Sequence, residues 1–452
     1  MKTNWLKILS LVGAIAASVH AQSYKVLNNF TSYRPGEPWG IFAQSRGGYL
    51  LTSAPDDEKG LHGDVFRLTT SGIRTVLHEF ATSDGGRSPI GGVTLGKDGR
   101  FYGTTESGGI YDRGTIFEMT PDGTVKTLYD FEGADGSQAE SPPIRGLNAD
   151  FYGVTSGYDD SGTIYRITPG GSFLSLHLFT GTDGAKPLGT LLQAINYWFY
   201  GTTSSGGTSD VGTLFRISPS GQFELLFSFD GKHGAFPEAG LIQASDGNFY
   251  GVTPSGGTNG IGWGVVYKMT STRQVTVLHN FTNGSDGAAP VGALVQATDG
   301  YLYGTTVAGG AFGTGVLFRI STTGEFKVLH DFQPSTGVYP VALIQHTNGF
   351  LYGITKDGGV YGDGVFYRFD LGVSPFITYL PSYGRVGMTV DILGEGFTTD
   401  SKVFFNGVSA QIITVEPTYM RVVVPAGATS GSIRATTTKG ILKSNKVFLV
   451  RP

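Results

Sequence analysis

The residues best suited to chemistry in this sequence are few, and most stand beside glycine. His62 and Asp64 fall in a charged stretch, APDDEKGLHGD over residues 54–64, with Arg34 and Trp39 a short way upstream, while His233 stands alone in DGKHG. A loop imidazole is the usual general base near neutral pH. Arg and Asp add hydrogen bonds and an exposed indole adds a stacking face. Arg34, Trp39, His62, Asp64 and His233 together therefore suit a sugar ligand. The competing reading is drift in one divergent segment. Asp159 and Asp160 form a carboxylate pair, but adjacent residues of an extended chain point apart, so they are not the facing acids of a glycosidase. The sequence contains no GxSxG, HExxH or phosphate loop and no cluster with metal-ligand spacing. No catalytic residue, metal ligand or cofactor is assigned.

Other titratable residues recur at fixed places. His78, His177, His279 and His330 all occupy one slot of an LHxF motif, which holds Asn28, Tyr129 and Phe227 in the other copies. A position repeated in this way serves the repeat. Asp84, Asp135, Asp183 and Asp286 follow the same motif by a few residues, and Arg34, His233 and Thr336 fill that place in the remaining copies. Asp-Gly there starts a turn, the carboxylate binding nearby backbone amides. A ring of such carboxylates could instead hold calcium, which needs several oxygens together. Of the remaining histidines, His62 and His233 fall in long loops and His346 falls near a tight turn.

The elements that must position these residues come from internal repetition. FYGTT at Phe101 returns as FYGVT at Phe151, FYGTT at Phe199, FYGVT at Phe249, LYGTT at Leu302 and LYGIT at Leu351, with a worn copy, LLTSA, at Leu50. These seven copies recur at about fifty residues. Within one unit, ALIQASDGNFYGVT reads as strand, Asp-Gly turn and strand; a glycine-rich loop, the strand VVYKMT and the strand QVTVLHNF follow. Four strands at this period make a propeller blade. The fourth-strand motif also occurs seven times, as KVLNNF, TVLHEF, KTLYDF, LSLHLF, ELLFSF, TVLHNF and KVLHDF, but its first copy precedes every FYGT motif. The last unit, ending at Asp370, has none of its own. The strand over residues 24–30 is therefore expected to complete the last blade and close the ring, which removes free sheet edges. Alternation of strand direction sends the loops after strands two and four to one face and the tight turns to the other. The long-loop face is where ligand residues should gather.

Composition agrees with this. Of 452 residues, 71 are glycine, 30 phenylalanine and 22 tyrosine, a set suited to strands and tight turns. The formal net charge of −4 gives no reason to expect nucleic acid. There is no cysteine, which excludes disulfides, a thiol nucleophile and a thiolate metal site. Residues 1–21 read as a signal peptide. Lys2 and Lys7 precede an apolar run over residues 8–17, and Val19-His20-Ala21 offers a cleavage site before Gln22. That run is too short to span a bilayer and no longer one follows, so no membrane insertion is expected.

The order FYGTT, SGG, GTIF or GTLF, LHxF and DGxxP over residues 24–370 resembles a bacterial glycine-rich tandem-repeat family, GloVer. The resemblance implies secreted or surface-displayed proteins and no particular activity. After Leu371 the period stops. Pro381, Gly387, Gly394, Gly396, Phe397, Phe405, Gly407, Val424, Pro425 and Gly431 give residues 374–450 the layout of an IPT/TIG domain, an immunoglobulin-like module. Such a module implies a spacer or adhesive accessory; its DNA-contacting role in transcription factors is discounted for an exported chain that is not strongly basic.

The expected architecture is thus all-β. A signal peptide over 1–21 precedes a seven-bladed β-propeller over 22–371, closed by its N-terminal strand, and an immunoglobulin-like β-sandwich occupies 374–452. The expected protein is secreted, periplasmic or held at the cell surface. It is expected to bind a polysaccharide or cell-envelope ligand on its long-loop face without turnover. The alternatives are a polysaccharide lyase or glycoside hydrolase using the same face, and a protein-interaction scaffold.

Overall fold

The computed structural model describes residues 23–31, 40–55, 62–81, 85–157, 161–258 and 262–451. The signal-peptide reading, Arg34, Trp39, Asp84 and the Asp159–Asp160 pair lie outside them. The described chain is all-β, and seven four-stranded antiparallel sheets follow one another as blades. Blade 1 comprises Ala43–Gln44, Leu50–Ala54, Asp64–Leu68 and Arg74–Glu79. In the same pattern, blades 2 to 6 end on Val125–Asp130, Phe173–Leu178, Phe223–Ser228, Val275–Asn280 and Phe326–Asp331. Blade 7 comprises Val338–Gln345, Leu351–Asp357 and Val365–Phe369, and its fourth strand is Tyr24–Asn29 from the other end of the chain. Tyr24 pairs with Phe369 and Asn29 with Val365. The expected closure is therefore present. In most blades the inner strand has only two residues, shorter than its sequence suggests.

Each letter of the FYGTT motif has a packing reason. Its Phe stacks on the Tyr of the preceding blade, as Phe151 does on Tyr102 at 3.9 Å and Phe199 on Tyr152 at 4.0 Å. The Tyr hydroxyl bonds the turn residue before it, Asp98 for Tyr102 and Asp246 for Tyr250. The Gly is required because the third-strand aromatic lies over it; a Cβ at Gly103, Gly153 or Gly353 would run into the ring of Phe117, Tyr165 or Tyr367. The last Thr accepts from the amide that opens the third strand, at 3.0 Å for Thr115 onto Thr105 and 3.1 Å for Thr163 onto Thr155. The motif serves the fold rather than any ligand.

Blade-to-blade cohesion also repeats around the ring. The Phe of LHxF sets its edge on the third-strand aromatic of the next blade: Phe80 on Phe117, Phe131 on Tyr165, Phe179 on Phe215, Phe229 on Tyr267, Phe281 on Phe318 and Phe332 on Tyr367. The seventh such contact, Phe30 on Phe66 at 6.0 Å, joins the N-terminal strand of blade 7 to blade 1. Each buried Phe contributes on the order of 1.5–3 kcal/mol through its area alone. A glutamine at the end of the inner strand adds a polar tie. Gln193, Gln243, Gln296, Gln345 and Gln44 each accept from a backbone amide of the blade before, Leu147, Ile195, Ser245, Thr298 and Thr347 respectively. The last of these again crosses the seam between blades 7 and 1.

Residues 378–451 form a four-stranded and a five-stranded sheet packed around Ile377, Val390, Phe405, Met420, Val422 and Phe448. This sandwich docks on the tight-turn face. Thr418 Oγ1 donates to Arg46 O at 2.6 Å on blade 1, and Arg421 Nη2 to Lys97 O at 2.9 Å on blade 2. Tyr383 reaches Leu147 O on blade 3, Arg451 covers Tyr197 on blade 4, and Glu395 accepts from Thr347 on blade 7 at 2.8 Å. At the centre of this interface, Asp391 is bound by Arg46, Arg421 and Tyr419. Burial pushes its carboxyl up, but those hydrogen bonds and charges prevail and hold it below the usual carboxylate range.

Candidate functional site

With the sandwich on the tight-turn face, the long-loop face is left as the broad surface of the ring. All of the strongly exposed aromatic side chains among the described residues lie there: Tyr111, Phe236, Trp263, Phe312, Tyr339 and Tyr361, between 41% and 63% exposed. Tyr111, Trp263, Phe312 and Tyr361 belong to the loops between second and third strands of blades 2, 5, 6 and 7. Phe236 belongs to the loop that enters blade 5, and Tyr339 is the second residue of the first strand of blade 7. There they take left-handed backbone angles, φ 58° and 54°. The amide of Phe236 donates to Val211 O at 2.8 Å, which ties the rim of blade 5 to the loop of blade 4.

At the axis, these entering loops surround a cavity of about 190 Å3. Ile41, Ile90, Leu188, Val291 and Val341 line it together with two acids, Glu140 of blade 3 and Glu238 of blade 5. Burial pushes both carboxyls above the usual range. For Glu140, Ser156 Oγ, which donates to it at 2.8 Å, and the Lys186 charge oppose that rise, while the Glu238 charge adds to it.

Of the residues singled out from sequence, the described ones, His62, Asp64 and His233, do not line this cavity. Asp64 is fully buried and takes the third-strand position held by Thr115 in blade 2. It pairs with Arg74 Nη2 at 2.7 Å, and the guanidinium lies 4.1 Å over the Phe66 ring. Its carboxylate is thus buried within the blade and paired there. Blade 1 has lost the threonine of the motif to Ala54, and an ion pair stands where the other blades use hydroxyls. His62 carries its loop's tie to the next blade, its carbonyl accepting from Ser88 N at 3.0 Å. His233 is on the long-loop face, but its Nδ1 donates to Asp230 at 2.9 Å and its ring sits edge-on to Phe227. It caps its own loop.

The recurrent Asp residues do the same in mirror order. Asp183 accepts from Thr180 N and pairs with His177 at 2.9 Å; Asp286 pairs with His279 at 3.1 Å, and Asp135 is bound by the Tyr129 hydroxyl. They are turn residues, each engaged within its own blade, and no group of three or more possible metal ligands occurs among the described residues. The LHxF histidines stack between blades, His177 on Phe223 and His279 on Phe326 at 3.8 Å. His346 is buried beneath the sandwich. Its Nδ1 accepts from Asn348 N, so Nε2 carries the proton and donates to Gly48 O at 3.0 Å.

Sequence reasoning passed over the exposed aromatics, although a signal was present. GGIYDRG, GGAFGTG and GGVYGDG place Tyr111, Phe312 and Tyr361 at one position of the glycine-rich loop. It also passed over the glutamine of the inner strand and the two glutamates at the axis.

Comparison with known proteins agrees with this architecture. The Gloeobacter/Verrucomicrobia repeat matches residues 37–263 and 212–409, and the IPT/TIG domain matches residues 375–448. No curated protein matches the chain. Among solved structures, a fungal alcohol oxidase of the AA5 family in complex with copper is 12% identical, with 95% of this chain and 99% of that one covered and a TM-score of 0.47. BamB from Moraxella catarrhalis is 14% identical over 74% and 84% of the two chains, TM-score 0.45. The periplasmic gluconolactonase PpgL of Pseudomonas aeruginosa is 15% identical over 71% and 99%, TM-score 0.47. At such values these likenesses carry no argument about activity. With the repeat matched across most of its length, the chain belongs to the Gloeobacter/Verrucomicrobia repeat family, and it carries an IPT/TIG domain behind the repeats.

Proposed function

We propose that this protein is an exported, non-enzymatic binding or adhesion protein that engages a polysaccharide or other cell-envelope ligand on its long-loop face. The observation that carries the reading is the confinement of the exposed aromatics to that face while the sandwich occupies the other. Aromatic faces with polar neighbours are what sugar rings stack on. Glycine-bounded loops on a rigid ring hold them without much ordering cost on binding. The leader read at residues 1–21 supports export, and the sandwich would serve as spacer.

A second reading has one observation in its favour. Glu140 and Glu238 line the axial cavity with raised carboxyls, the condition of a general acid in glycoside cleavage. One experiment separates the two. The protein is incubated with insoluble plant, algal and microbial polysaccharides, and both depletion from solution and release of reducing ends or unsaturated products are measured. Saturable depletion without product supports the binding protein. Product formation that is lost in Glu140→Gln or Glu238→Gln would establish the enzyme instead.

A further inference from the structure

We propose that the second-to-third-strand loops of blades 2, 6 and 7 are equivalent stacking subsites that one repeating polymer occupies together, so that the protein reads a glycan by valency. This rests on the reading of the long-loop face as a glycan surface and goes further, to how the ligand must be built.

The three loops are copies in sequence and in geometry. Each places an aliphatic and then an aromatic residue after a pair of glycines: Ile110-Tyr111, Ala311-Phe312 and Val360-Tyr361. In each, the amide before the aromatic donates to the last side chain of the blade's own fourth strand. The distances are 3.0 Å for Ile110 onto Asp130, 2.7 Å for Ala311 onto Asp331 and 2.9 Å for Val360 onto Asn29. In blade 7 that side chain comes from the N-terminal strand, so ring closure also sets the third subsite. The glycine pairs have positive φ, 82° and 80° at Gly108 and Gly109 and 82° and 81° at Gly358 and Gly359, which other residues rarely adopt. The aromatic residues are thus presented by one local device, and they are exposed by 51%, 55% and 63%.

Blade 4 keeps the glycine pair but has Ser209 at the aromatic position. The fold does not need a ring there. An unburied aromatic retained in three copies and absent from a fourth serves something other than the blade.

The neighbours of the rings select a glycan over a lipid surface. Asp112 follows Tyr111 directly and Asp363 lies two residues beyond Tyr361. Asp112 is paired with Arg87, so donors and acceptors stand together beside the ring as sugar hydroxyls require, and this mixed charge offers an anionic bilayer no basic patch. Single stacking contacts of this kind are weak, and rigid attachment of several to one ring converts them into avidity of about 10²–10⁴-fold.

The test is a valency series on the full chain: Tyr111→Ala, Phe312→Ala and Tyr361→Ala singly, in pairs and together. Each is measured for binding to chitin, cellulose, xylan and peptidoglycan sacculi, and to soluble trimers to hexamers of whichever binds. Circular dichroism and thermal melting check that each variant is folded. The expected result is a graded loss, with the triple variant weakened about 10²–10⁴-fold on the polymer. The short oligomers should bind weakly and change little from variant to variant. Full loss from one substitution, or a folded triple variant that binds as the parent does, overturns shared occupancy while leaving the glycan face standing. If the parent binds none of the polymers, the reading of the face fails, and this inference with it. Binding to phosphatidylglycerol vesicles but to no glycan would replace the glycan with a lipid surface and overturn both.

Discussion

His330 gives a sharp test of how the ring is closed. It occupies the LHxF slot of blade 6 and stacks on Tyr24 of the N-terminal strand at 3.9 Å, with planes 6° apart. His177 and His279 pair with the aspartate of the loop that follows, but here that loop position is held by Thr336, and the Tyr24 hydroxyl donates to Thr336 O at 2.6 Å. His330 Nε2 is buried with no hydrogen-bond partner. Burial pushes its pKa down to about 4, against partial opposition from the Asp331 charge. The unfolded chain titrates near 6.5, so between those values it binds the extra proton and stability falls as pH falls. The loss is complete below the folded value and amounts to about 3 kcal/mol, of which about 2 kcal/mol has gone by pH 5 relative to pH 8. His330→Phe removes the titration and keeps the stack, since Phe227 already fills this slot in blade 4. Denaturant midpoints of parent and variant at pH 8 and pH 5 should therefore diverge, with the variant gaining about 2 kcal/mol over the parent on acidification. A difference that stays flat between the two pH values refutes the burial of an unpartnered imidazole at the seam.

Three further outcomes follow from the packing. Phe30→Ala and Phe332→Ala should each cost about 3–5 kcal/mol and agree closely, because both rings fill the same inter-blade contact; a much milder Phe30→Ala, by denaturant melts, would mean that the N-terminal strand only rests against the ring. Gly353→Ala should cost about 1–3 kcal/mol through the clash with Tyr367, and Gly247→Ala, which meets nothing, about 1–2 kcal/mol from its backbone angle alone. Thermal shifts in that order support the packing account, and Gly353→Ala melting with the parent contradicts it. Asp64→Asn should lose roughly 3–5 kcal/mol by taking the charge from a buried pair, with polysaccharide binding unchanged in the folded fraction; selective loss of binding would return Asp64 to the ligand.

Much of the architecture was open to sequence reasoning because the repeat states it seven times. Phe101, Tyr102 and Gly103 recur with their neighbours, and the displaced first copy of the fourth strand, ending in Phe30, is enough to foresee the closure. The site was harder to read for a physical reason. Repetition makes structural residues conspicuous, and deviation from it makes Asp64 and His233 look functional. Asp64 deviates because the threonine it would have bonded has become Ala54, and His233 deviates because its aspartate moved to position 230. Asp64 pairs with Arg74 within its blade, and His233 pairs with Asp230 within its loop. Tyr111, Phe312 and Tyr361 stand within the repeat, where only their exposure distinguishes them from the buried aromatics, and exposure is a property of the folded ring. Glu140 and Glu238 meet at the axis from blades 3 and 5 across 98 positions of chain, a proximity that exists only once the ring closes.

The central claim is that a glycan binds the long-loop face and is not turned over. Hydrogen–deuterium exchange of the full chain, with and without the polysaccharide it retains, tests it most directly. The account predicts slowed exchange in the loops over residues 106–114, 307–315 and 356–364, none in the turns over 45–49 and 96–99 or in the sandwich, and no soluble product. Protection confined to the tight-turn face or the sandwich, or product released during the labelling, would contradict it.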